Sequence, residues 1–313
     1  MKVLFLGTGD IAIPSFQALI ESAEYDVCGL ICQPDKPVGR KQVLTPPRIK
    51  TIAEEHGIDV FQPRSMRKPE ALAWIQKKAP DLIVVMAYGQ ILPQSILDAP
   101  PVACLNLHAS ILPKYRGAAP IQAAIREGDA ESGVTVMHMA AGLDTGDILL
   151  IKTIPLAADE TGGSLHDRLA DLAPEAMLEA LSLLKDGKAS RTPQDDANAT
   201  HIGKLDRHDG VIHWSQPAEK IDQLIRAYDP WPGTSTKLPG GRQLKVFPPC
   251  EIIEGAGCAD PGTILSADKT GILIAAGGEN ALRITDLQPE GKKRMPAHAF
   301  LAGNPLAPGG KLT

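Results

Sequence analysis

Short apolar runs alternate with segments of helical periodicity over the first half of the chain. Continuous apolar runs predict buried strands, and apolar positions three to four residues apart predict amphipathic helices. Strands alternating with helices, and apolar on both faces, predict an α/β fold with a mostly parallel sheet covered on two sides. The predicted strands are residues 3–6, 27–32, 81–87, 103–108, 133–139 and 148–154, and the predicted helices are 14–22, 69–79, 118–128 and 164–185.

This pattern changes near residue 187, where the chain becomes polar and loses its apolar periodicity until about residue 202. After a short predicted helix at 218–227, glycines and prolines separate brief strands at 244–247, 262–265, 272–275 and 282–287. Such spacing is typical of a small β-barrel. We therefore predict a catalytic domain over residues 1–188, a linker over 189–205 and a small β domain over 206–313.

The composition of the 313 residues, 43% apolar and 22% charged, is that of a folded globular protein. The formal net charge of -5 argues against a surface that binds nucleic acid everywhere and leaves only local basic patches for a polyanion. Few apolar residues precede the first glycine, too few for a signal peptide or a membrane span. We therefore expect a cytoplasmic protein with no membrane partner, whose five cysteines stay reduced.

A glycine turn, Gly7-Thr8-Gly9-Asp10-Ile11-Ala12, connects the first predicted strand to the first helix. The spacing matches part of the dinucleotide-binding fingerprint, which also requires an acid at the end of the second strand. That strand instead continues into Gln33-Pro34-Asp35 and a basic, proline-rich stretch that would obstruct an adenosine pocket. We interpret the glycines as a tight turn and expect no NAD.

Two polar residues end the strand predicted at 103–108. Residues two apart on a strand point to the same face, so Asn106 and His108 are expected to project side by side. The carboxyl edge of an open α/β sheet is where ligands bind. A single histidine there would more often be structural, but an Asn-x-His pair at this position favours a functional site.

A third polar group lies in Gly142-Leu143-Asp144-Thr145-Gly146, where flanking glycines allow a ligand to approach the backbone. Acyl transfer to an amine requires donors for an oxyanion and a group that moves protons. Asn106 and protonated His108 would supply the donors, and Asp144 would help to move protons through water. The remaining His and Asp residues lack ligand spacing, so we expect no metal.

Residues 106–120, Asn-Leu-His-Ala-Ser-Ile-Leu-Pro-Lys-Tyr-Arg-Gly-Ala-Ala-Pro, together with residues 142–146, closely resemble the signature of folate-dependent formyltransferases. The resemblance implies a Rossmann-like catalytic domain, 10-formyltetrahydrofolate as formyl donor, and Asn106, His108 and Asp144 as catalytic residues. It also implies a pterin site between the loop around Asp144 and the loop at 86–90. The folate contacts that it implies are Ser110, Ile111, Leu112, Pro113, Met86, Tyr88 and Gln90.

The acceptor is indicated by residues 33–47, which resemble the loop that holds the acceptor end of tRNA in family members acting on methionyl-tRNA. These residues overlap a basic segment, residues 36–50. Residues 226–233 resemble the start of the family's OB-like carboxyl-terminal domain, which contacts the acceptor stem. The resemblance implies initiator methionyl-tRNA as partner and a monomer. The predicted tRNA contacts are Lys36, Arg40, Lys41, Arg48, Lys245 and Lys293.

Two alternatives remain at this point. A formyltransferase acting on an amino-sugar nucleotide would share the catalytic trio and the folate segment but should lack the basic segment. A non-catalytic binding protein would account for the basic segment and the barrel, but not for Asn106, His108 and Asp144 together.

Overall fold

A computed structural model of the protein describes residues 1–39 and 41–313. The chain forms two compact units, each built from several segments. The first unit contains residues 1–117, 132–154 and 166–202, and the second contains 118–131, 155–165 and 203–313. The second unit thus includes two short segments that lie, in sequence, between stretches of the first unit. The domain boundaries expected from the sequence stay a prediction.

Most elements coincide with those expected from the apolar pattern. In chain order the strands of the described residues are β1 (Lys2–Gly7), β2 (Asp26–Ile31), β3 (Lys36–Val38), β4 (Val43–Thr45), β5 (Val60–Phe61), β6 (Leu82–Met86), β7 (Ala103–His108), β8 (Arg116–Gly117), β9 (Glu131–His138), β10 (Ile148–Pro155), β11 (His201–Ile202), β12 (Thr234–Lys237), β13 (Gln243–Ile253), β14 (Ile264–Asp268), β15 (Gly271–Ala275), β16 (Ala281–Pro289) and β17 (Met295–Pro296). The helices are α1 (Ile13–Glu21), α2 (Arg48–Glu55), α3 (Pro69–Lys78), α4 (Gln94–Leu97), α5 (Pro120–Glu127), α6 (Gly162–Lys185), α7 (Ala218–Ala227) and α8 (Ala297–Gly303).

A sheet with the strand order β10-β9-β7-β6-β1-β2-β5 forms the centre of the first unit. Strands β5, β2, β1, β6 and β7 pair in parallel, whereas β9 runs antiparallel to β7. The central strand β6, Leu-Ile-Val-Val-Met, is buried along its whole length, as expected of a parallel strand covered on both faces. This sheet confirms the predicted mostly parallel α/β fold.

The carboxyl end of β7 carries Asn106 and His108, two of the residues predicted from the sequence to form the site. Asn106 lies beside Val85 of β6 on one side and beside Met137 of β9 on the other. Beyond this edge the chain forms the short strand β8, which pairs in parallel with β11 through Arg116–His201 and Gly117–Ile202. Residues near 200 therefore lie against the segment that follows β7.

The second unit is an antiparallel sheet with the order β12-β13-β16-β15-β14, in which β17 also pairs with β16. Its core is formed by the inward side chains of these strands and by the apolar face of α7, including Ile221 and Ile225. A mostly parallel α/β unit accompanied by an antiparallel β domain is the fold class predicted from the sequence.

The sequence pattern did not predict three features of the first unit. Residues within the basic segment form the hairpin β3–β4 followed by helix α2, and β5 extends the sheet edge.

Of the described residues, none forms a helix both long and apolar enough to cross a membrane. The five cysteines are free thiols, and burial raises the pKa of Cys32 and of Cys104 to about 12, which keeps both thiols protonated and unreactive.

Candidate active site

The end of β7 presents one accessible amide and one buried imidazole. Asn106 is partly exposed, and its side chain makes no hydrogen bond with any of the residues that the structure describes. His108, two residues further on the same strand face, is buried. An amide without an internal partner can donate to a bound molecule, so the Asn106 side chain is available for a hydrogen bond to a ligand at this strand end.

The two ring nitrogens of His108 have different neighbours. Nε2 lies 2.9 Å from the carbonyl oxygen of Tyr115, and because a carbonyl can only accept, Nε2 carries a hydrogen. Nδ1 lies 3.7 Å from Oδ2 of Asp144, beyond hydrogen-bond length but within ion-pair distance. Nδ1 is therefore the nitrogen that can gain or lose a proton in this arrangement.

The loop that carries Asp144 has an unusual backbone conformation. Asp144 is in the left-handed region with φ 52°, and its Oδ2 accepts a 2.8 Å hydrogen bond from the N–H of Gly117. A Cβ at Gly117 would overlap the carbonyl oxygen of Ile202, and a Cβ at Gly146 would overlap that of His138. Glycine is required at both positions because other backbone passes too close, and together they fix where the carboxylate lies.

The segment after β7 is held from the neighbouring strand. Thr135 of β9 lies opposite His108 and is fully buried. Its Oγ1 donates to the carbonyl of Ser110 at 2.6 Å and accepts from the N–H of Leu112 at 3.1 Å. One hydroxyl thus satisfies two buried backbone groups of the segment predicted to contact folate.

We expect Thr135→Val to destabilise the protein by roughly 1–3 kcal/mol, because valine keeps the shape but leaves two buried backbone groups without partners. Urea unfolding followed by circular dichroism measures the change. Thr135→Ser is the matched control, since serine keeps the hydroxyl, and it should lose less stability than the valine variant. Equal stability of the valine variant and wild type would contradict this role.

Within the predicted folate segment, side chains differ in accessibility. Ser110 and Leu112 are buried, and the Ser110 hydroxyl donates to the carbonyl of Lys114 at 2.7 Å. Ile111 and Pro113 are partly exposed. A ligand could therefore contact the side chains of Ile111 and Pro113 directly, whereas Ser110 and Leu112 shape the turn. The folate contacts themselves stay predictions.

The side chains of the loop after β6 also differ in accessibility. The side chains of Met86 and Tyr88 are buried in the first unit, and burial raises the pKa of the Tyr88 phenol. Gln90 is partly exposed, but its amide accepts from the N–H of Met66 at 2.9 Å and donates to the carbonyl of Pro63 at 3.1 Å. Contacts from this loop to a ligand would come mainly from its backbone.

Most of the predicted tRNA-binding side chains are exposed. In the first unit these are Lys36 on β3, Lys41 between the hairpin strands and Arg48 at the start of α2, while Lys50 forms a 3.0 Å ion pair with Asp35. The predicted contact Arg40 lies outside the described residues. In the second unit, Lys245 on β13 and Lys293 before β17 are exposed.

Several residues around the site carried no signal in the sequence. Thr135 lies within an apolar strand, and Gln194 and Thr200 lie in the polar stretch predicted as linker. Each acts by hydrogen bonding to backbone groups of residues 110–146. Such contacts follow no sequence periodicity, although Gly117 and Gly146 mark positions where another backbone segment passes too close for a Cβ.

Among the described residues, no group of three or more His, Cys, Asp or Glu side chains is arranged to hold a metal ion. The acid–base groups gathered at the carboxyl edge of the sheet are His108 and Asp144, with Asn106 on the same strand. This set suits proton transfer together with hydrogen bonding to a polarised oxygen.

Comparison with known families gives two matches that together cover most of the chain. Residues 1–181 match the family described as "Formyl transferase", and residues 204–305 match "Formyl transferase, C-terminal domain". The first match alone covers more than half of the sequence and includes Asn106, His108 and Asp144.

Individual relatives agree with these matches. A methionyl-tRNA formyltransferase of Akkermansia muciniphila is 50% identical over 309 residues, covering 97% of each chain. One from Geotalea daltonii is 48% identical, covering 100% of this chain and 98% of the relative.

Solved structures show the same fold at lower identity. HypX from Aquifex aeolicus in complex with tetrahydrofolic acid aligns with a TM-score of 0.60 at 20% identity, over 96% of this chain and 47% of HypX. An N-formyltransferase from Helicobacter canadensis, in complex with folinic acid and dTDP-3-aminofucose, aligns with a TM-score of 0.64 at 15% identity, over 92% of this chain and 99% of that structure.

Proposed function

The chain belongs to the formyl transferase family, and from this membership we propose that it transfers the formyl group of 10-formyltetrahydrofolate to the amino group of initiator methionyl-tRNA. The observation that carries the proposal is the near full-length identity of 50% to a methionyl-tRNA formyltransferase. The exposed basic residues of the hairpin and α2 support a polyanionic acceptor, because they gather positive charge on a protein whose net charge is negative.

The site residues support a direct transfer. The neutral amine of the methionyl group attacks the formyl carbon, the carbonyl π electrons move to oxygen, and a tetrahedral intermediate with an oxyanion forms. The Asn106 amide is free to donate to that oxygen because it has no internal partner among the described residues. Collapse of the intermediate breaks the bond to N10 of the folate and leaves the formyl group on the methionyl nitrogen.

Two proton movements accompany this step. The attacking nitrogen becomes an ammonium and loses a proton, and the departing folate nitrogen gains one. His108 and Asp144 are the acid–base groups for this transfer, with Nδ1 exchanging the proton because Nε2 is bonded to the Tyr115 carbonyl. When Nδ1 is protonated, the imidazolium also places positive charge beside the oxyanion.

The proposal is tested by incubating the purified protein with 10-formyltetrahydrofolate and either initiator methionyl-tRNA or a dTDP-amino sugar. Blocking of the methionyl amine, detected by mass spectrometry after mild deacylation, is the expected product. Formylation of the amino sugar with no product on tRNA would instead support the alternative acceptor. Absence of formyl transfer to both would refute the proposed function.

The basic segment predicts a second result. Lys41→Ala combined with Arg48→Ala should raise KM for the tRNA and lower the salt dependence of tRNA binding, by a slope of about 1 for each charge removed. KM for the folate donor should stay unchanged. Lys269→Ala, which removes an exposed charge outside the predicted contacts, is the matched control. A salt slope equal to wild type in the double variant would exclude these side chains from the tRNA interface.

A further inference from the structure

The loop that carries Asp144 needs support from outside itself. Asp144 has a left-handed backbone, which costs roughly 1–2 kcal/mol for a residue with a Cβ. The preceding Leu143 is 61% exposed and therefore contributes little packing. A loop with this conformation and so little apolar burial keeps one geometry only if hydrogen bonds from other segments hold it.

Gln194 supplies two of those hydrogen bonds. Its Nε2 donates to the carbonyl of Asp144 and to the carbonyl of Gly146, both at 2.8 Å. Both hydrogens of the Gln194 amide therefore bond to the loop that carries Asp144. Rotating the amide by half a turn would direct its oxygen at two carbonyl oxygens, so the network allows only this orientation.

The oxygen of the Gln194 amide is also held by a hydrogen bond. Oε1 of Gln194 accepts from Nε of Arg116 at 3.0 Å, and Arg116 is buried. The next residue, Gly117, donates its N–H to the Asp144 carboxylate. Asp144 is consequently held twice by this network, through its backbone carbonyl by Gln194 and through its side chain by Gly117.

The same stretch of chain holds the second neighbour of His108. Thr200 accepts the N–H of Tyr115 on its Oγ1 at 2.8 Å, and its backbone carbonyl accepts the N–H of Arg116 at 2.8 Å. The Tyr115 carbonyl is the group that accepts from Nε2 of His108. Gln194 and Thr200 therefore contact the loops that bear both partners of the imidazole.

We infer that Gln194 is a positioning residue for formyl transfer, which holds the Asp144 carboxylate against Nδ1 of His108. This inference rests on the proposed function. Gln194 does not touch the reacting atoms, so its removal changes the geometry of the acid–base pair rather than the affinity for either substrate. A displacement of about 1 Å in such a group can cost on the order of 100-fold in rate.

Gln194→Met tests the inference, because methionine has a similar length but no donor. We expect kcat to fall by roughly 10- to 100-fold, with KM for both substrates nearly unchanged. Gln194→Glu should lose at least as much, since it keeps an acceptor for Arg116 but sets a carboxylate against two carbonyl oxygens. Asp195→Ala is the matched control, because Asp195 is the exposed neighbour that bonds only within its own turn.

A double substitution separates positioning from general destabilisation. If Gln194 acts through Asp144, adding Gln194→Met to Asp144→Asn should lower kcat by less than about threefold further. If Gln194→Met lowers kcat on the Asp144→Asn background by the same factor as on the wild-type background, the inference fails. It also fails if the Gln194→Met single variant has the kcat of wild type. Neither result contradicts the proposed function.

The side-chain ¹⁵N resonances of His108 give a readout that does not depend on turnover. In Gln194→Met the Nδ1 resonance should move toward its value in Asp144→Asn, whereas Asp195→Ala should match wild type. An Nδ1 resonance unchanged from wild type in Gln194→Met would overturn the inference. If the wild-type protein formylates no tRNA, the proposed function fails, and this comparison still decides whether Gln194 holds the carboxylate.

Discussion

His108→Gln is expected to lower kcat for formyl transfer by roughly 10²- to 10⁴-fold, the range lost when a positioned acid–base group is removed. The glutamine amide can still donate to the Tyr115 carbonyl, which in wild type accepts from Nε2 at 2.9 Å. It cannot exchange a proton or carry charge beside Asp144. Turnover should therefore collapse while the folded structure persists.

Steady-state kinetics with saturating tRNA and donor measure this loss, and a thermal melt checks the fold. His108→Ala serves as a second variant that loses the hydrogen bond to the Tyr115 carbonyl, and it should be less stable than His108→Gln at similar residual activity. His166→Gln, at a partly exposed histidine on α6, is the matched control. A glutamine variant that turns over as fast as wild type would remove His108 from the mechanism.

Asn106→Ala should reduce kcat by roughly 10²- to 10³-fold, the usual cost of losing one oxyanion donor. Its stability should match wild type, because the amide makes no hydrogen bond within the described part of the chain and is partly exposed. This combination of a large kinetic effect and a small thermodynamic effect distinguishes a donor to the transition state from a structural asparagine.

Asn106→Asp sharpens the test, since it preserves size but replaces the donor with a negative charge. Its kcat should be at least as low as that of the alanine variant, because a carboxylate repels the oxyanion. If Asn106→Asp retained most of the wild-type turnover, oxyanion stabilisation at this position would be excluded. A single-turnover experiment with enzyme in excess over tRNA would show that the chemical step, rather than product release, is affected.

Much of the fold was predictable because burial imposes simple periodicities. Strand β7 was predicted with its correct bounds, since an apolar run ends in the alternating Asn106 and His108. Helix α7 was predicted equally well from its apolar spacing. The hairpin β3–β4 was missed because its strands are short and exposed, so no alternation of buried and exposed positions marks it.

The candidate site was predictable only in part, for a related reason. The sequence indicated Asn106 and His108 through their position at a strand end, and Asp144 through its flanking glycines. It gave no indication of Gln194, Thr200 or Thr135, whose hydrogen bonds to backbone groups join residues 23 to 85 positions apart. A polar stretch without periodicity is interpreted as a linker, although here it contacts the loop that carries Asp144.

The hydrogen bond from Nε2 of His108 to the Tyr115 carbonyl has a consequence for repeated turnover. A histidine with two accessible nitrogens can relay a hydrogen ion through the ring, taking it up on one side and releasing it on the other, and must then rotate or change tautomer to reset. In the proposed mechanism uptake and release both occur at one atom, Nδ1. Each catalytic cycle would therefore return the ring to its starting tautomer without any rotation.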